Sequence, residues 1–275
     1  MAHAPNPEPT AQSGPSLLED AAWFDANWMW FSTAFFPISL LLICVVSSGS
    51  VQQKLENPYV VGWLSAPFYF SHQTEEHAYD LRGWRYAFVP SFNHGVGAKL
   101  FPDCEQHISC PLDPPITTGI NVMAIWFGFV ITMVLAHYLG PQYAYAGHFS
   151  WGVAIVNAVG GHLLPWALAG YNPGAFQSLF MFSFGVWAIS RGGPKFAAMC
   201  IANGVLFHVV SFGIGIKVVM KLGLPIFLHA VLCFIMSSAI PLLFAKYVPP
   251  QDPLSEGELV STEDSEEANS ALEKA

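Results

Sequence analysis

The sequence predicts an all-α fold, a multispanning membrane helix bundle of six or seven transmembrane helices, and three observations carry that prediction. Hydrophobic residues make up 53% of the 275 and charged residues only 11%, against roughly 25% charged in an ordinary soluble domain. The mean hydropathy is +0.43. The apolar residues also fall into separate windows of about 18 to 25, the length that crosses a hydrocarbon core about 30 Å thick at a rise of 1.5 Å per residue. The same composition excludes an intrinsically disordered chain, a coiled coil and a basic nucleic-acid-binding domain. The expected surroundings are a lipid bilayer, with no nucleic acid partner.

In chain order, the first window is WMWFSTAFFPISLLLICVVSSG (28–49). The second, PYVVGWLSAPFYFSHQTEEHAYD (58–80), is apolar over its first two thirds and ends in a charged face, so it reads as a spanning or partly inserted helix. Residues 81–116 form the one long internal hydrophilic segment. Pro90, Pro102, Pro111, Pro114 and Pro115 argue there against a regular helix and for a loop that caps the bundle. Further windows follow at 117–140, 149–170, 173–190, 197–216 and 222–245, the third of these the shortest. Pro37, Pro67, Pro165, Pro225 and Pro241 lie inside apolar runs, where they kink helices and free backbone carbonyls.

The net charge of −9 belongs to the ends of the chain. Residues 1–25 carry four acids and no Lys or Arg, and residues 251–275 carry eight acids and only Lys274. Residues 26–250 hold seven acids against nine Lys or Arg. This predicts a disordered N-terminal tail over 1–25, a transmembrane domain over 26–248 and a disordered acidic tail over 249–275, either solubilising or partner-binding. No basic region followed by an apolar run marks a cleavable signal peptide. Lys and Arg divide almost evenly between the two sets of loops, so they do not orient the bundle. The acids before the first helix and Lys54 after it lean toward an external or lumenal N terminus, a side on which Cys104 and Cys110 can either pair or remain free thiols. Cys44, Cys200 and Cys233, inside apolar runs, read as small hydrophobes.

Among the seven internal acids, Glu75 and Glu76 are the adjacent pair at an apolar helix. On an α-helix His72, Glu75 and Glu76 stand at i, i+3 and i+4, so one imidazole and two carboxylates leave the same face within a turn. Two such carboxylates need a bound cation, an Arg82 or Arg85 partner, protonation of one, or exposure at the interface. A histidine with carboxylates suits a divalent metal ion such as iron, manganese or zinc. Asn-x-x-x-x-His occurs twice, as Asn157 with His162 and Asn203 with His208. These residues can tie helices together or complete a metal site with His72 and Glu76. Tyr171 and Asn172, before the turn at Pro173 and Gly174, and Asn93 and His94 in SFNHGVG are within reach of such a cluster or are ordinary turn residues.

The segment HQTEEHAYDLRGWRYAFVPSFN, followed by an apolar helix with Asn157 and His162 and by the turn Tyr171, Pro173, Gly174, resembles the HXXEE family of integral membrane proteins over roughly residues 58–190. Here His72, Glu75 and Glu76 match the motif that names the family. The chain departs from it in its acidic tails, its two-cysteine loop, the extra His77 and a longer Asn-to-His spacing. The resemblance implies that the three motif residues act together, and it names no substrate.

The sequence thus points to a metal-dependent membrane enzyme, an oxidoreductase or hydrolase acting on a lipophilic small molecule. His72, Glu75 and Glu76 are expected as catalytic groups, with His72, Glu75, Glu76, His162 and His208 as metal ligands. A proton- or cation-coupled transporter relaying charge through Glu75 and Glu76, and a non-catalytic membrane assembly factor, are the competing expectations.

Overall fold

A computed structural model describes residues 13–104 and 109–251. The outer part of the expected N-terminal tail, residues 1–12, and the acidic segment from 252 on lie outside the described residues. Among the described residues all regular structure is helical, and five helices are long and apolar enough to cross a membrane. The chain is an all-α, multispanning membrane protein.

Helix α1 (Trp23–Val46) presents Leu41, Leu42, Val45 and Val46 outward, as a lipid-facing helix does, and carries Pro37. The expected boundary at residue 25 therefore falls within a helix. Residues before it already pack: Leu18 is buried, and a side chain at Gly14 would collide with the backbone of Arg85 and Tyr86. After α1, Ser50 and Gln53 form a reciprocal cap on a short helix, and Asn57 caps the next by accepting from the Tyr59 N–H at 2.9 Å.

Helix α2 runs as Pro58–Trp63 and Ser65–Gln73 and continues through a π-helical turn, Thr74–Ala78. The hydrophilic segment then crosses the end of the bundle in short helical pieces, the longest at Phe88–Phe92 and Asn93–Gly97. Asn93 braces it by exchanging two hydrogen bonds with the backbone of Leu112. Cys104 and Cys110 are joined as a disulfide. Asp113 caps α3 (Pro114–Leu139) by accepting from the Ile116 N–H at 2.7 Å. Helices α4 (Pro141–Ala169), α6 (Pro194–Leu222) and α7 (Ile226–Tyr247) span, whereas α5 (Ala175–Ser190) is shorter.

Helix α4 is the hub, packing on α2, α5, α6 and α7, while α3 packs chiefly on α7. Small residues permit the closest approach. A side chain at Gly152 of α4 would run into the Cys200 carbonyl of α6, and one at Gly204 into the Gly152 carbonyl. In lipid, where apolar area alone gives helices no reason to associate, such backbone-to-backbone packing supplies the contact. Polar side chains add to it. Gln73 accepts the Ser32 hydroxyl at 2.7 Å and donates to the Asn121 side chain at 3.0 Å, joining α1, α2 and α3. Pro241 has no N–H for the Ser237 carbonyl one turn back, and Thr132 of α3 donates to that carbonyl at 3.0 Å.

Candidate metal centre

The C-terminal end of α2 and the turn between α4 and α5 meet at one end of the bundle. The last residues of α2 carry His72 and, inside the π turn, Glu75 and Glu76. Helix α4 also turns π-helical, over Ala158–Leu163, and that segment carries His162. Single π turns within α-helices recur at functional sites because they re-aim side chains.

His72, Glu76 and His162 converge. Each offers a ligand atom, and these three atoms all lie within 4.8 Å of one another. His162 Nε2 is 2.9 Å from Glu76 Oε1, and His72 Nε2 is 3.3 Å from the same oxygen. Both histidines are 0% exposed and Glu76 is 4% exposed. The imidazoles stand edge to face with centroids 4.5 Å apart.

The other face of each ring fixes its tautomer. His72 Nδ1 is 3.1 Å from the Gly174 carbonyl. His162 Nδ1 is 2.7 Å from the Pro173 carbonyl and 2.8 Å from Asn172 Oδ1. Oxygens of these kinds only accept, so each Nδ1 carries a proton, and in the neutral ring each Nε2 presents a lone pair. The Asn157 amide donates to His72 Nε2 at 3.0 Å, which agrees. With both rings neutral, two Nε2 atoms without hydrogen face one carboxylate oxygen in a buried site, an arrangement that is repulsive without a proton or another positive charge between them.

Adjacent Glu75 does something else. Its Oε1 accepts the Tyr171 hydroxyl at 2.7 Å and the Phe176 N–H at 3.2 Å, and its Oε2 accepts the Gln177 N–H at 2.7 Å. Glu75 therefore caps the N terminus of α5 from another helix, where the helix dipole favours a negative charge. Burial, with Glu75 beside it, raises the Tyr171 pKa well above its ordinary value. The same hydroxyl accepts the Leu81 N–H at 3.1 Å.

The structure thus brings together His72, Glu76 and His162 of the expected ligands and leaves Glu75 and His208 outside the group. Both Glu75 oxygens are taken up by α5 and Tyr171. His208 turns its Nδ1 to the Gly204 carbonyl of its own helix at 2.7 Å, and Asn203 donates to the Phe149 carbonyl of α4. The second Asn-x-x-x-x-His therefore does not reproduce the first. Neither arginine reaches the glutamates: Arg82 pairs with Asp80 at 2.8 Å and Arg85 donates to the Ala26 carbonyl. His94 is exposed, and Asn93 serves the loop.

Sequence reasoning passed over the carbonyls of Pro173 and Gly174 and the ring of Phe88, whose centroid is 5.0 Å from that of His162. The Tyr-x-Pro-Gly spacing was the available signal for the carbonyls. At Gly174, φ is +88°, and an added Cβ would lie 2.7 Å from Glu76 Cγ and 2.9 Å from Cε1 of both His72 and His162. Glycine is what lets this turn close over the three side chains.

Fold and site together define an all-α membrane protein with a buried two-histidine, one-carboxylate group. No protein-family model, curated protein or solved structure matches the chain.

Proposed function

We propose that the protein is a membrane-embedded, metal-dependent enzyme acting on a lipophilic substrate, with His72, Glu76 and His162 holding one divalent ion such as iron, manganese or zinc. The observation that carries this reading is the convergence of both Nε2 atoms on one oxygen of Glu76 while both Nδ1 atoms face backbone carbonyls. A single proton relieves one of the two contacts, whereas one cation satisfies both once the Asn157 amide releases His72 Nε2. Bonds of about 2.0–2.2 Å from a metal to nitrogen and oxygen set neighbouring ligand atoms about 3 Å apart, in keeping with the observed 2.9 and 3.3 Å. Carbonyl acceptors on the far ring nitrogens are the usual support of metal-ligating histidines.

Bound there, the ion supplies Lewis acidity or an activated water, the chemistry of a hydrolase or an oxidoreductase. The chain's own residues orient the rings through Pro173 and Gly174, exclude water by burial and place Glu76 between the two imidazoles. This reading gives the HXXEE resemblance a chemical content: the first histidine and the second glutamate of the motif bind, and the first glutamate builds the support.

Elemental analysis of the purified protein beside Glu76→Ala and His162→Ala tests it. About one equivalent of iron, manganese or zinc in the parent, lost in both variants, is the expected result. Equally negligible metal in all three overturns the proposal.

A further inference from the structure

Asn157 reaches the cluster from the same helix as His162. It closes the regular part of α4, and the π segment Ala158–Leu163 begins at the next residue. Residues five apart on an α-helix point about 140° away from each other, whereas π-helical hydrogen bonds run between residues five apart and bring them over one another. Asn157 and His162 therefore both face His72, the first at 3.0 Å and the second with ring centroids 4.5 Å apart. Asn203 and His208 have the same spacing, but their π segment starts only at His208. They diverge, Asn203 to α4 and His208 to its own helix.

The atom of Asn157 that stands 3.0 Å from His72 Nε2 is the amide nitrogen, Nδ2. An amide nitrogen donates hydrogens and offers no lone pair, so in this orientation it occupies the lone pair that His72 would give a metal. The oxygen of the same amide is a ligand that hard divalent ions accept. Exchanging the two atoms takes one half-turn about χ2, a terminal torsion with a broad, roughly two-fold preference. The turned Oδ1 would take the place of Nδ2, 3.0 Å from His72 Nε2. Neighbouring ligand atoms on one ion stand about 3 Å apart at ordinary bond lengths. Room for the turn lies on the far side of the amide. A Cβ added at Gly161 would meet Asn157 Oδ1 at 3.3 Å and no side chain of another helix within 4 Å.

We propose that Asn157 is an exchangeable fourth ligand of the metal centre. In the empty site its amide NH2 covers the His72 lone pair, and on loading the amide turns over so that Oδ1 joins His72, Glu76 and His162 around the ion. This inference rests on the metal reading and adds to it a ligand and a loading step. The hydrogen bond gives His72 Nε2 a partner when no ion is bound, as a buried polar atom requires. A rotation about χ2 moves no backbone, so one amide serves the empty and the loaded site within the same bundle.

The test is a zinc titration of the full-length, metal-stripped protein in nanodiscs. The Asn157 side-chain NH2 is followed by 1H–15N NMR, assigned with Asn157→Asp. Before zinc, one amide proton is expected downfield, bonded to His72 Nε2. At saturation it should lose that shift while the Asn157 13Cγ moves downfield as its carbonyl coordinates. Chelator competition gives the second reading. Asn157→Ala is expected to bind zinc at least about tenfold more weakly, a loss no smaller than that of an outer partner. Asn157→Asp, which keeps an oxygen of the same reach, should bind at least as tightly as the parent. Zinc held by Asn157→Ala as tightly as by the parent overturns the fourth ligand, and tighter binding would leave the amide a cover only. An NH2 still bonded to His72 at saturating zinc overturns it as well. His162→Ala, measured alongside, separates this inference from the reading beneath it. Zinc bound by the parent, lost in His162→Ala and unaltered in Asn157→Ala sinks the fourth ligand alone, whereas a parent that binds no zinc sinks the metal centre and this ligand with it.

Discussion

The Tyr171 hydroxyl donates to Glu75 at 2.7 Å while accepting the Leu81 N–H, so one phenol ties the end of α2, the following loop and the turn before α5. Removing it by Tyr171→Phe loses both bonds and is expected to cost about 2 kcal/mol, at about 1 kcal/mol for each. Glu75→Ala also strands the Phe176 and Gln177 N–H groups and is expected to cost about 1–3 kcal/mol. Thermal melts in one detergent check both values. Glu75→Ala should retain more metal than Glu76→Ala; equal loss in the two would place Glu75 among the ligands.

Gly174 and Gly170 form a matched pair for testing the turn. Both have positive φ, +88° and +91°, but only Gly174 faces the cluster, while a Cβ at Gly170 meets nothing within 4 Å. Alanine at either position carries a backbone penalty of about 1–3 kcal/mol. Only Gly174→Ala is expected to displace His72, Glu76 and His162 and abolish metal binding. Metal content and melting temperature, measured on both variants, separate the two effects.

Asn172 supports His162 from behind. Asn172→Ala leaves the Pro173 carbonyl as the remaining acceptor for Nδ1. Metal affinity is expected to fall about tenfold, the lower end of the range for lost outer-shell partners. A chelator competition titration reads the change directly, and an unchanged affinity would show that Pro173 suffices.

The close crossing of α4 and α6 predicts that Gly152→Val is destabilising, because its side chain would collide with the Cys200 carbonyl. Overpacking of this kind typically costs about 1–3 kcal/mol. Thr132→Val, which removes the donor to the Ser237 carbonyl opposite Pro241, should cost less, about 0.6 kcal/mol, the average for interhelical hydrogen bonds in a membrane. The ranking of the two melts is the check.

The membrane helices were legible because a bilayer imposes their length, and apolar runs that long seldom arise in a water-soluble fold. Helix α2 was less legible, since its polar end is held inside by partners on α1, α3 and α5 that no local pattern reveals. His72 and Glu76 could be read from their spacing on one face. The division of labour between Glu75 and Glu76 could not, because the N–H groups that bind Glu75 come 101 and 102 residues later. The two Asn-x-x-x-x-His copies look alike as strings, yet His162 finds its acceptors across a turn and His208 on its own helix. Periodicity registers which face a residue occupies and says nothing of which carbonyl lies opposite.

The π turns at Thr74–Ala78 and Ala158–Leu163 also bear on which changes of length the chain can accept. Each holds more residues per turn than the helix around it, and each residue of an α-helix advances the following side chains by about 100°. Deleting one residue within either turn would let the helix become regular and more comfortable by itself, while rotating Glu76 or His162 out of register with its partners. At these two places a shortened chain can gain local regularity and lose the site, so single-residue deletions there should be read as changes of aim.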